Sequence, residues 1–182
     1  MASPQALSEA DRRLAALWAA DCAERVLPLF EAEAPHDERA RDGIDRARAF
    51  GRGELDAAEE IRRRFVAGRA AKSSGDGAAI AAARAAGQAS GVAHMGAHAL
   101  GAAAYAAKAA ALSSSAPEEA RRDEVRWQIR HMSVDVRTAL VRLPLLGTNS
   151  SGPLGAGLLA SGVLATTIRE IQAALLPVDP FS

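Results

Sequence analysis

His94 and His98 stand four residues apart in a stretch whose composition predicts one long helix, Ala78 to Leu112. On a helix that spacing puts both rings on one face, where they could reach a single metal ion. A zinc or iron site needs at least one further ligand, and neither a His-Glu-x-x-His run nor a Glu-x-x-His pair surrounds them. Asp21 is the remaining candidate, seven residues after Leu14 on the apolar stripe of the first predicted helix. A carboxylate buried there needs a partner, either an arginine or the two histidines if the first helix packs on the fourth. The same residues admit a structural reading, in which the histidines hydrogen-bond inside an alanine-rich interface and Asp21 is a lock. The missing third ligand favours that reading. His94, His98 and Asp21 are therefore the chain's metal candidates, with no catalytic constellation and no cofactor fingerprint beside them.

The other reactive side chains have plain readings. Cys22 lies in the same apolar stripe, where a thiol is inert packing. Arg122, Arg126 and Arg130 line up with Trp127 nearby, a superficial nucleic-acid face. Glu118, Glu119, Asp123 and Glu124 share its first two turns, and Glu118 to Arg122 has the favoured i,i+4 orientation, so a solvated, salt-bridged face is expected. Gly155-Ala156-Gly157 imitates a dinucleotide fingerprint, but no strand precedes it. Gly147 to Gly152 is followed by Pro153 where a P-loop needs Lys. Asn149-Ser150-Ser151 is a glycosylation triplet without a secretory route.

The elements that position these residues read as helices. Of 182 residues 45 are alanine, the strongest helix former, and no window alternates with period two. A first helix starts at Ser8 as N-cap and carries Leu14, Leu17, Trp18, Cys22, Val26, Leu29 and Phe30, with Pro28 expected to kink or end it. A second helix is predicted over Asp37 to Phe50 and a third over Glu54 to Lys72, followed by a linker at Ser73 to Gly77. The fourth, Ala78 to Leu112, is rich in Ala and Gly and is expected to run through the middle of the bundle. A capping box at Ser115 and Glu118 opens a fifth helix with the stripe Val125, Ile129, Met132, Val136, Leu140 and Leu143, closed by Pro144. A Gly- and Leu-rich stretch leads to a last helix, Leu158 to Leu176, before Pro177. The expectation is an all-α, single-domain bundle of five to six helices over residues 1–182.

Composition narrows the function classes. With 22 basic and 22 acidic residues the net charge is zero, which argues against a protein that coats nucleic acid or anionic membrane. Twenty of the cations are Arg, a bias attributed to GC-rich coding. The 23 uncharged residues between Arg84 and Lys108 are long enough to span a bilayer, but Ala, Gly, Gln88, Ser90 and the histidines make a soluble bundle helix the better reading. The 26 uncharged residues from Leu143 to Ile168 are interrupted by Pro144, Pro153 and a Thr-Asn-Ser-Ser run. A lone Cys22 and the lack of a basic, then apolar, start at Met1 to Glu9 lead to the expectation of a cytoplasmic protein.

Two segments carry a resemblance. Leu14-Ala-Ala-Leu-Trp-Ala-Ala-Asp-Cys-Ala-Glu-Arg-Val-Leu-Pro-Leu-Phe30 and Ala85-Ala-Gly-Gln-Ala-Ser-Gly-Val-Ala-His-Met-Gly-Ala-His-Ala-Leu-Gly-Ala-Ala-Ala-Tyr-Ala-Ala-Lys108, in that order, resemble the signatures of the immunity-five-like family of bacterial polymorphic toxin systems. The matching positions are Trp18, Asp21, Cys22, Pro28, His94, His98, Tyr105 and Lys108, within a family-like core of about residues 10–143. Residues from about 144 to 182 are longer and more apolar than the family pattern and are read as a Gly/Leu-rich C-terminal extension that could bind a partner or a second copy of the chain. The resemblance implies a cytoplasmic helical protein that binds and neutralises a cognate toxin; together with the composition, the expectation is no catalysis, no cofactor, and neither nucleic acid nor membrane as partner. The rival reading is a metal-dependent helical enzyme using His94 and His98.

Overall fold

The computed structural model describes residues 3–176, and among them every regular element is helical. Eight α-helices replace the five or six expected: α1 (Glu9–Glu33), α2 (Arg39–Gly51), α3 (Ala57–Arg63), α4 (Gly77–Gly91), α5 (His98–Leu112), α6 (Pro117–Arg130), α7 (Val134–Leu140) and α8 (Gly162–Leu175). Short 3-10 turns at Ala67–Ser73 and Leu158–Ala160 join them. Pro177, expected to stop the last helix, lies outside the described residues.

Helix α1 begins as its sequence predicts, with the Ser8 side chain accepting from the Asp11 amide. It does not end at Pro28 but runs on to Glu33. The proline ring is on the exposed side, so the carbonyl that loses its amide donor faces water. The expected third helix stops at Arg63 and resumes as the 3-10 turn.

The expected fourth helix is not one rod. It breaks over residues 92–97, the segment that carries His94, and α5 then starts at His98. The cause lies in the first residues of the chain. The Gly96 and Ala97 amides donate to the carbonyls of Ala6 and Gln5 (3.0 Å each) instead of continuing a helical ladder. Leu7, with a left-handed φ of 63°, packs so tightly there that a Cβ on Gly96 would stand 2.4 Å from its Cδ1. The fifth helix is also divided: Ser133 caps α7 by accepting from the Val136 amide (3.2 Å), which separates it from α6. The Ser115–Glu118 capping box does not form; Ala116 is the N-cap and Pro117 opens the helix.

Helices α1, α4 and α5 pack on one another, α2 flanks α1 and α4, and α6 and α8 lie on α5. Small side chains make the close approach of α1, α4 and α5 feasible: all of α5 is buried except His98, Lys108, Ala110 and Leu112. Larger anchors, Phe30, Phe50, Leu100, Ile168 and Ile171, are fully buried in the same apolar cluster. Polar ties fix the register. Trp18 donates from Nε1 to the Gln128 carbonyl (2.9 Å), and Gln128 in turn donates to the Ala103 carbonyl (3.0 Å), linking α1, α6 and α5. Buried Arg121 on α6 holds Glu170 on α8 (2.8 Å) as well as its neighbour Glu118.

Candidate functional site

The break between α4 and α5 opens a cleft of about 760 Å³. Its floor is formed by Gln88 of α4 and His98 and Tyr105 of α5, with His94 in the turn between the two helices. One wall is the 3-10 turn and the residues before it, contributing Arg64, Phe65, Arg69 and Lys72; Arg84 joins from α4. The other wall is the C-terminal segment, with Pro153 and Leu158. A smaller hollow of about 240 Å³ shares Arg84, Tyr105 and Leu158 and adds Lys108.

The walls are held by specific contacts. The 3-10 turn meets α4 backbone to backbone: a Cβ on Gly87 would lie 2.7 Å from the Gly68 Cα, so only glycine lets the cationic wall come this close. The C-terminal wall hangs on buried Gln5, whose amide donates to the Ser151 carbonyl (2.7 Å) and accepts from the Leu154 amide (2.9 Å). The same residue's carbonyl holds the Ala97 amide, so Gln5 to Leu7 ties the His94 turn and the C-terminal wall together.

At the floor, the His98 Nδ1–H donates to Gln88 Oε1 (2.8 Å), an oxygen that can only accept, which leaves the lone pair on Nε2. Burial, then His94 and Arg64, push the His98 pKa down to about 4, so the ring is neutral at physiological pH. His94, exposed in the turn, is also lowered, by partial burial and by Arg64 and Arg12.

Charge is the cleft's most distinctive property. Four cations line it and no carboxylate does. Twelve arginines elsewhere form ion pairs with Asp or Glu. Among the described residues Arg64, Arg69, Lys72 and Arg84 form none; Arg12, Arg62, Lys108, Arg130, Arg137 and Arg169 also form none, but they do not line this cleft, so what sets the four apart is that they share one concavity. The sequence reading of arginines scattered among equal numbers of acids missed this. Its signal was nevertheless present: residues 61–117 hold seven cations and a single acid, Asp76, inside a chain of zero net charge.

The structure separates the predicted site residues. His94 and His98 share the cleft, but Asp21 does not join them. It is exposed on α1 and accepts from Arg48 (2.8 Å), which also holds Glu24 (2.6 Å), so the arginine is its partner. Among the described residues no group of three or more His, Cys, Asp or Glu is gathered to hold a metal ion. Cys22 is fully buried, and desolvation first, then Glu124 and Asp21, raise its thiol pKa well above the ordinary value. Trp18 is a core tie, Pro28 an exposed position within α1, Tyr105 a buried cleft residue under the Arg84 guanidinium, and Lys108 a member of the adjoining hollow. Trp127 is half-buried, with Arg25 over its ring at 4.0 Å and His131 stacked on it at 4.0 Å. Arg122 and Arg126 are paired with Glu118 and Asp123, as a salt-bridged face requires.

The model of the Imm-5 like putative immunity protein family matches residues 5–135, which run from the Gln5 clasp through α6 into α7 and include the cationic wall and the cleft floor. No curated protein and no solved structure matches the chain.

Proposed function

The chain belongs to the Imm-5 like putative immunity protein family, and from that premise we propose that it binds a cognate bacterial toxin and blocks it by occluding its active surface, without chemistry of its own. The observation that carries this reading is the extent of the match, which takes in nearly three quarters of the chain, well beyond a single alanine-rich helix. The protein acts where such toxins strike their targets, in the cytoplasm; no helix among the described residues is long and apolar enough to cross a membrane.

The physical chemistry supports binding over catalysis. A buried thiol with a raised pKa is a poor nucleophile. A divalent cation at His94 and His98 would enter a cleft already lined by four positive side chains, with Asp21 held elsewhere by Arg48. Toxin and immunity partner associate through surfaces in which a few anchors dominate the energy. The test is co-expression with a cognate toxin, sought among the products of genes that neighbour this chain's own. Survival of the cells, with a complex of the two proteins recovered by size-exclusion chromatography, supports the reading, and death of cells that hold the folded chain refutes it.

A further inference from the structure

Like charges gathered around one concavity repel, and a neutral chain that pairs twelve arginines with carboxylates elsewhere has the acids to quench four more. Their convergence without counter-charges is what a polyanion site requires, because charge-assisted hydrogen bonds from Arg and Lys are the strong ones for phosphate. A single carboxylate would satisfy one or two of these cations; four match the several charged oxygens of a di- or triphosphate. The space is right for a small molecule, within the roughly 300–1,000 Å³ of ordinary ligand clefts. The rim also has an apolar part. Phe65, 59% exposed with the Arg64 guanidinium 4.3 Å above its ring, and Leu158, 62% exposed, both open onto the cleft. A flat ring could pack on them while its phosphates meet the cations.

We propose that this cleft binds a phosphate-bearing small molecule with a flat apolar body, of the nucleoside phosphate class, with Arg64, Arg69, Lys72 and Arg84 on the phosphates and Phe65 and Leu158 on the ring. The proposal does not rest on the family role. Part of it, the Leu158 wall, lies beyond the family match and is added by the C-terminal segment.

The test is isothermal titration of the full chain with ADP, adenosine and inorganic phosphate. ADP binds saturably, and adenosine, which lacks the anion, binds at least about tenfold more weakly, because one lost charge-assisted contact is worth about a factor of ten. Raising salt weakens ADP binding to the unaltered chain. The exposed pair Arg69→Glu with Lys72→Glu lowers ADP affinity by at least about tenfold, with the fold verified by circular dichroism. The pair Arg62→Glu with Arg130→Glu, equal in charge change and exposed outside the cleft, leaves affinity within about twofold. Equal ADP affinity in the two double variants overturns the proposal, as does no saturable ADP binding at about millimolar concentration. Binding of a poly-glutamate peptide through Arg69 and Lys72, with no ADP binding, also overturns it and assigns the cleft to an acidic protein segment.

Discussion

The neutral His98 makes folding stability depend on pH in a defined window. Its pKa falls from 6.5 in the unfolded chain to about 4 in the fold, so the fold binds fewer protons between those values. Stability is complete above the unfolded value and is lost as pH falls toward the folded one. The full displacement converts at 1.36 kcal/mol per unit to about 3 kcal/mol, and partial solvent access at this half-buried ring reduces the expected loss to about 1–3 kcal/mol. Urea unfolding followed by circular dichroism between about pH 7 and about pH 4.5 reads it directly. His98→Gln keeps a polar partner for Gln88 and cannot titrate, so it removes most of this dependence. His94→Gln removes only a small part, since that ring is exposed. Glu118, held down to about 2 by Arg121, contributes stability that is present above its ordinary 4.5 and lost only as pH falls from there, below the histidine window. An unchanged pH profile in His98→Gln refutes a buried neutral ring at this position.

Other substitutions test the architecture. Gly87→Ala should gain up to about 1 kcal/mol of helix propensity but lose about 1–3 kcal/mol by forcing the Gly68 backbone away, giving a net loss in thermal unfolding and a displaced cationic wall. Removing the acids around buried Arg121, by Glu118→Gln with Glu170→Gln, should cost more stability than Arg121→Met, because the former leaves a buried charge without its counter-charges and the latter does not; urea midpoints separate them. Asp21→Asn should change stability by less than about 1 kcal/mol, since its ion pair with Arg48 is exposed, and a larger loss in chemical denaturation contradicts that placement. Trp18→Phe should cost about 1–3 kcal/mol by leaving the Gln128 carbonyl unpaired in the core, read from the same unfolding curves.

What the sequence made legible was helical content and local pattern. The stripes of α1 and of α6 with α7 are buried at Trp18, Cys22, Val26, Phe30, Val125, Met132, Val136 and Leu140. Ser8 caps as its type predicts. The break between α4 and α5 was not legible, because it comes from partners far away in the chain; the Ser133 cap that divides α6 from α7 is local. Propensity favours helix throughout Ala78 to Leu112, and only the Gln5 to Leu7 clasp on Gly96 and Ala97 diverts it. That diversion matters for the site. The four-residue spacing of His94 and His98 promised one helical face, whereas the break leaves His94 in a turn and His98 at the start of α5, facing a cleft the pattern did not foretell. Asp21 illustrates the converse: its register suggested burial, but Arg48 of α2 holds it at the surface. The cationic wall was written in the sequence as a charge imbalance over 61–117, hidden by a net charge of zero for the whole.

The claim that this family member neutralises by binding is tested most directly by titrating the purified chain into a purified cognate toxin, once one is identified by co-expression, while following toxin activity. Stoichiometric loss of activity, ending near one chain per toxin and reversed when the complex is dissociated, is the predicted result. Full toxin activity in the presence of excess folded chain, or inactivation at far below one chain per toxin as an enzyme would give, contradicts it.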